Sequence, residues 1–387
     1  MTSTVDHPSP APGDHSRYSP LHDVHVAAGA SFTDFAGWQM PVRYSSDLAE
    51  HHAVRGAAGL FDLSHMAEFS VSGADAGAFL DFALAGALSR IDLGQAKYSL
   101  LLAEHGGIID DVVVYRTAEQ SFLVVANASN RQPVAEALAA RADGFTIEVT
   151  DVSDETALIA VQGPASRAIL EDTTGLGIGG GSEALAGLRY YRALDATFEG
   201  LPVLLARTGY TGEDGFELYI APDAAPALWA ALTAAGEAHG LVPAGLASRD
   251  TLRLEAGMPL YGHELSLETL PAQAGVGRVP ALAKADFVGR DAVEAGAPVD
   301  ASVLVGLVAE GRRAARADYL VYPDDASTQP IGVVTSGALS PTLGHPIAMA
   351  AVDPRFAEPG LELSVDIRGK RLPFTTTTLP FYRRKKD

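Results

Sequence analysis

The chain has 387 residues, 47% hydrophobic and 20% charged, with 48 Asp plus Glu against 28 Lys plus Arg and a formal charge of −20. That length supports two or three packed units with their own cores, and the acidic balance opposes nonspecific binding to nucleic acid or anionic membrane. The lack of cysteine excludes disulfides, thiolate catalysis, cysteine-held zinc and iron–sulfur clusters.

Residues 1–20 (MTSTVDHPSPAPGDHSRYSP) are polar and proline-rich, carry Asp6 and Asp14 and have no apolar centre, so they read as neither a signal nor a transit peptide. A disordered leader over 1–18 and a cytoplasmic protein are expected. No charge-free run of about eighteen apolar residues occurs, so no membrane-spanning helix is expected. Helical periodicity runs over 47–58, 74–85, 133–142, 164–171, 226–239 and 248–257, with strand-like runs between, which makes a mixed α and β chain.

The segment 98–115 (YSLLLAEHGGIIDDVVVY) reads as a β-hairpin: two runs of Leu, Ile, Val and Tyr flank a Glu104-His105-Gly106-Gly107 turn. With a two- or four-residue loop, Tyr98 lies opposite Val113, because side chains alternate faces along a strand. Tyr98, Asp111, Val113 and Tyr115 then share one face, and Asp110, Val112 and Val114 share the other; a three-residue loop breaks this parity. Either the acids are solvated on an edge hairpin, or one of them meets a polar ligand, since adjacent carboxylates in a β-branched run are costly unless paired or wet.

The glycines of 173–182 (TTGLGIGGGS) have dinucleotide-fingerprint spacing but follow no strand and open no helix, so a surface loop is expected. In 207–220 (RTGYTGEDGFELYI), Phe216, Leu218 and Ile220 form an apolar face and Glu217 lies on the other, either solvated or facing a ligand. The helix 248–257 (SRDTLRLEAG) has Ser248 as its expected N-cap and places Arg249 and Arg253 four apart on one face. That face either holds a carboxylate or is taken up by intrahelical pairing with Asp250 and Glu255. A linker is expected at 289–301, and the short apolar runs of 303–380 indicate a small all-β domain. His22, His25, the pair His51-His52 and His263-Glu264 lack metal-ligand spacing, and no G-x-S-x-G elbow occurs.

Five ordered motifs, FDLSHM (61–66), GGIIDD (106–111), TGYTGEDGFE (208–217), RDTLRLEAG (249–257) and TSGALSPTLG (335–344), resemble those of the glycine cleavage system T protein, the aminomethyltransferase family, over nearly the whole chain from Ser19 to Arg384. The resemblance implies an α+β fold, a three-lobed cloverleaf around a central folate channel, divided here into a folate-binding region of two interleaved α+β lobes over 19–290 and a C-terminal β-barrel over 302–384. It implies transfer of an aminomethyl-derived one-carbon unit from the lipoyl arm of H protein to tetrahydrofolate, in functional coupling with P and L proteins. The products are 5,10-methylenetetrahydrofolate, ammonia and the dihydrolipoyl carrier, and the chemistry needs no metal or flavin.

Carried over by motif, Asp111 matches the key acid near the folate N5/N10 region. Met66, Tyr98, Tyr115 and Tyr210 match residues that line the folate site. Glu217 suits the adjacent pterin N–H donors, and Arg249 suits the folate carboxylates. Tyr382 resembles a substrate contact loosely. Two departures bear on the channel wall and the pterin packing: Arg278 stands where many relatives have tryptophan, and Val125-Ala126-Asn127 replaces a double valine before the asparagine. Arg312, Arg313, Arg316 and the tail 383–386 read as solubilising charge or as attractors of an anionic polyglutamate or acidic carrier.

Overall fold

The structure, a computed structural model, describes residues 16–384. The leader expected over 1–18 therefore lies outside the described residues except at its end, where Arg17–Tyr18 is not free chain but a short strand. It pairs in parallel with Trp38–Arg43, and Arg17 stacks on Trp38 at 4.2 Å.

Two sheets build the site. A five-stranded sheet runs in the order Ala96–Leu102, Ile108–Ala118, Ser121–Ala126, Ala67–Ser72, Glu148–Asp151. A seven-stranded sheet runs Leu176–Ile178, Ala193–Phe198, Leu201–Ala206, Gly215–Ile220, Ala157–Gln162, Ala58–Asp62, Leu241–Pro243. Each sheet packs one face on its own helices: Phe69, Phe79, Val112, Val114 and Leu138 form one core, and Leu60, Ile159, Leu218, Leu228 and Trp229 another. The opposite faces meet in a third cluster holding Phe61, Tyr115, Val125, Leu158 and Tyr219, and the site opens there. Burying a Leu or Phe side chain contributes roughly 1.5–3 kcal/mol, so period-two alternation makes each strand serve two cores at once.

The C-terminal strands close a six-stranded barrel from Val303–Val308 to Lys370–Thr377, which agrees with the expected all-β segment and α+β class. It docks on the helix Leu246–Glu255 through Leu254, Ala338, Ile347 and Met349.

All six periodic segments are helical, with shifted ends: Asp47–Gly56, Ala76–Ala83, Arg131–Ala140, Ser166–Asp172, Ala225–Gly236 and Leu246–Glu255. In the last, Gly245 and not Ser248 is the N-cap; Ser248 lies within the helix and donates from Oγ to the Gly245 carbonyl at 2.9 Å. Two further expectations are corrected. The 173–182 segment is not wholly loop, since Leu176–Ile178 pairs with Ala193–Phe198 as an edge strand and a helix, Gly181–Gly187, begins inside it. The 289–301 linker contains the helix Arg290–Ala295. All three elements are too short to leave a clear periodic signal.

The 98–115 hairpin has the expected register by an unexpected route. Leu102 pairs with Ile108, which leaves an odd five-residue loop, and a bulge at Ile109 restores the parity, so that Tyr98 still faces Val113. Gly106 adopts φ +86°, and a Cβ on Gly107 would lie 1.7 Å from the Leu267 carbonyl oxygen, so this turn requires both glycines.

Candidate active site

A cavity of about 350 Å³ opens between the two sheets, walled on a third side by the helix Leu246–Glu255 and residues 258–261. Its size is that of a small-molecule site. Asp111, Tyr98, Val113 and Tyr115 all line it, as the parity argument requires, while Val112 and Val114 face the opposite core.

Asp111 is half-buried and bound at both oxygens: Tyr98 Oη donates to Oδ2 at 3.0 Å, and Asn127 Nδ2 donates to Oδ1 at 2.8 Å. Burial raises its carboxyl above the ordinary value, and the Tyr98 and Asn127 bonds offset part of that rise. The same Asn127 amide reaches Asp110 Oδ1 at 2.8 Å, and Asp110 also accepts from Asn127 N at 2.9 Å and Asn130 Nδ2 at 2.6 Å. Burial and the neighbouring Asp111 charge push Asp110 up to about 7, against three N–H donors that favour its anion. Asp110 is thus an internal anchor for Asn127, and Asp111 is the acid presented to the cavity.

Across the cavity, Glu217 Oε2 accepts from Thr208 Oγ1 and from Tyr115 Oη at 3.3 Å, and Tyr219 Oη donates to Tyr115 Oη at 3.2 Å. Among the described residues nothing donates to Glu217 Oε1. Tyr210 lines the cavity and donates to the Pro259 carbonyl, which holds the 258–261 segment in place.

The two arginines expected on one face have different fates. Arg253 is 2% exposed and saturated, with bonds to Asp250 at 2.9 Å, Glu264 at 3.0 Å, Ser336 at 2.8 Å and the Met258 carbonyl at 3.2 Å. The Arg249 side chain makes no hydrogen bond to the described residues; its Nη1 is buried without a partner and its guanidinium lies 5.0 Å from the Tyr210 ring. Burial lowers its proton affinity, and the charge of Glu217 raises it most, so cation and carboxylate lie near one another. Glu255, expected as a possible intrahelical partner, instead binds Arg55 at 2.8 Å.

Met66 lines the cavity. Tyr382 does not: its ring lies under Arg55 at 4.1 Å and its N–H reaches the Glu255 carbonyl at 2.8 Å, at the barrel interface. Arg278 is exposed and outside the lining, whereas Val125 and Asn127 are part of it. The exposed Arg312, Arg313 and Arg316 lie on the barrel, away from the cavity. Asn127, His65, Thr208, Tyr191 and Tyr261 line it without having been singled out as site residues. Asn127 is legible as a polar residue closing the apolar strand Ser121–Ala126, and His65 and Thr208 lie inside the FDLSHM and TGYTGEDGFE motifs. No group of acids and histidines able to hold a metal is present among the described residues.

Similarity covers nearly the whole chain. A family model for the GCVT N-terminal domain matches residues 21–284, and one for the glycine cleavage T-protein C-terminal barrel domain matches 303–383. An aminomethyltransferase of Cutibacterium acnes is 56% identical over 370 residues, covering 95% of this chain and 99% of the relative. One of Streptomyces coelicolor is 55% identical over 376 residues, covering 96% and 98%. The crystal structure of glycine cleavage system aminomethyltransferase T from Bartonella henselae superimposes with a TM-score of 0.87 at 36% identity, covering 96% of this chain and 99% of that one. With its barrel, its paired sheets and these matches over both parts, the chain belongs to the glycine cleavage T-protein family of aminomethyltransferases.

Proposed function

We propose that the chain transfers the one-carbon unit of an aminomethyl group from the lipoyl arm of an H protein to tetrahydrofolate, releasing ammonia and leaving 5,10-methylenetetrahydrofolate and the dihydrolipoyl carrier. The observation that carries this reading is the unmatched polar set in one cavity: an open Glu217 oxygen and an unpaired Arg249 guanidinium, beside an acid fixed at both oxygens. A reduced pterin supplies the complement, with adjacent N–H donors for Glu217 and a neighbouring C4 carbonyl for a cation. The sequence reading gives Arg249 to the folate carboxylates; its closeness to Glu217 favours the pterin carbonyl, since the glutamyl tail lies at the other end of the ligand.

In this reading the transferred carbon loses its bonds to sulfur and to the departing amine and gains bonds to N5 and N10. One nitrogen-bound proton leaves with ammonia and the other with the thiol. Asp111, preorganised by Tyr98 and Asn127, faces the carbon as positive charge develops and orients the attacking nitrogen without reorganising. The apolar wall of Met66, Val113, Val125 and Leu260 keeps water from that carbon. The partners are the H protein and, through it, the P and L proteins. The division into a folate-binding region over 19–290 and a barrel over 302–384 forms part of the same proposal.

The test is methylenetetrahydrofolate and ammonia formation from aminomethyl-loaded H protein, with wild type and Asp111→Asn. The expected result is folate-dependent product, with kcat in the variant reduced by about a hundredfold or more and folate affinity little changed. Binding of folate without product from the loaded carrier would favour a free-standing demethylase acting on a small methylated donor.

A further inference from the structure

The FDLSHM segment ends the strand Ala58–Asp62 and turns its polar residues in different directions. Asp62 is fully engaged: it accepts from Ser19 Oγ, bonds His25 Nε2 at 2.8 Å and takes the Ser64 N–H at 2.9 Å. His65 is left out of that network. It is 4% exposed, lines the cavity and packs edge-on against Phe35 with ring centroids 5.2 Å apart. Its Nδ1 is buried without a partner. Its Nε2 makes no hydrogen bond to the described residues and is not among the buried unpartnered atoms, so it faces the open space of the cavity.

Burial holds His65 down at about 4, with Asp62 opposing and the Arg249 charge adding, so the ring is neutral at physiological pH and carries one N–H. An orphaned buried N–H is rarer than an orphaned acceptor, which puts the proton on Nε2 and the unused lone pair on Nδ1. The cavity therefore contains an uncharged donor close to the unpaired Arg249 cation. An acidic group would not require a neutral donor beside the arginine, whereas a carbonyl oxygen accepts from both.

We infer that His65 donates from Nε2–H to the C4 carbonyl oxygen of the pterin beside Arg249, and that it sets a preference for 4-oxo over 4-amino pterins; this rests on the tetrahydrofolate reading above. A 4-amino ligand presents a donor to a donor, and accepting it requires the other tautomer, with an N–H buried at Nδ1. His65 thus acts in ligand choice, while Asp111 acts on the transferred carbon.

The experiment compares equilibrium binding of tetrahydrofolate and its 4-amino-4-deoxy analogue to wild type, His65→Phe and His65→Ala. The ratio of the two affinities within one variant cancels general loosening of the pocket, and alanine gives the same ratio if phenylalanine is not accommodated. Both variants are expected to bind tetrahydrofolate about tenfold more weakly while the analogue changes less than about threefold. Equal losses for the two ligands, or no loss for tetrahydrofolate, would overturn the assignment and leave His65 a packing residue. Wild type that binds neither ligand would overturn the tetrahydrofolate reading itself.

Discussion

Tyr98 and Asn127 hold Asp111 from two sides, and each donor that favours the anion lowers the proton affinity that burial raises. Replacing Tyr98 by Phe removes one of these donors at little change in volume. The Asp111 pKa then moves up, and the acid limb of the kcat/KM profile is expected to shift to higher pH. An unmoved limb would separate Asp111 ionisation from turnover. Alternation along the strand separates Asp111 from Asp110 in the sequence alone, because neighbouring side chains on a strand must face opposite ways. The shared Asn127 amide was not legible, since it arrives from the next strand over at 2.8 Å from both acids.

The helix Leu246–Glu255 joins the cavity to the barrel: Arg249 faces the ligand space, Arg253 binds Glu264 and the barrel residue Ser336, and Glu255 receives Arg55, His51, Ser340 and Thr342. Burial raises the Glu255 pKa, but those bonds outweigh it and bring the carboxyl from 4.5 down to about 2. A depressed folded pKa contributes stability that is fully present above about pH 4.5 and is lost as pH falls through about 2. Glu255→Gln is therefore expected to cost about 3 kcal/mol at neutral pH, and its melting temperature should vary less than that of wild type between pH 5 and 2. Parallel pH profiles would remove Glu255 from the acid response. Helical periodicity and the four-residue spacing of Arg249 and Arg253 revealed this helix and its arginine face, but which arginine is saturated depends on Glu264 and Ser336, distant along the chain and near in space.

At the scale of the molecule, the barrel closes on itself yet is not independent. Leu254 packs with Ala338, Ile347 and Met349, and buried charges from the N-terminal part find their partners at Ser336, on the barrel strand Gly332–Leu339, and at Ser340 just beyond it. Separating the two parts would strand Glu255 and Arg253 with fewer partners, so one calorimetric unfolding transition is expected for the whole chain. Glu255→Ala should lower it or split it in two. Two well-separated transitions in the wild type would mean that the interface adds little. The formal charge of −20 sets the long-range field, and the unpaired Arg249 is a local exception inside the cavity.

Composition excluded cysteine chemistry, alternation placed Asp111 and both tyrosines on one face of the hairpin, and ordered motifs identified the family, because each of these depends on residue type and local spacing alone. Tertiary structure decided what locality cannot carry: the bulge at Ile109 that preserves the register of an odd loop, the burial that keeps His65 neutral, and the displacement of Tyr382 to the barrel interface. It also decided which buried groups remain without partners, since satisfaction of a hydrogen bond depends on every chain segment that packs nearby.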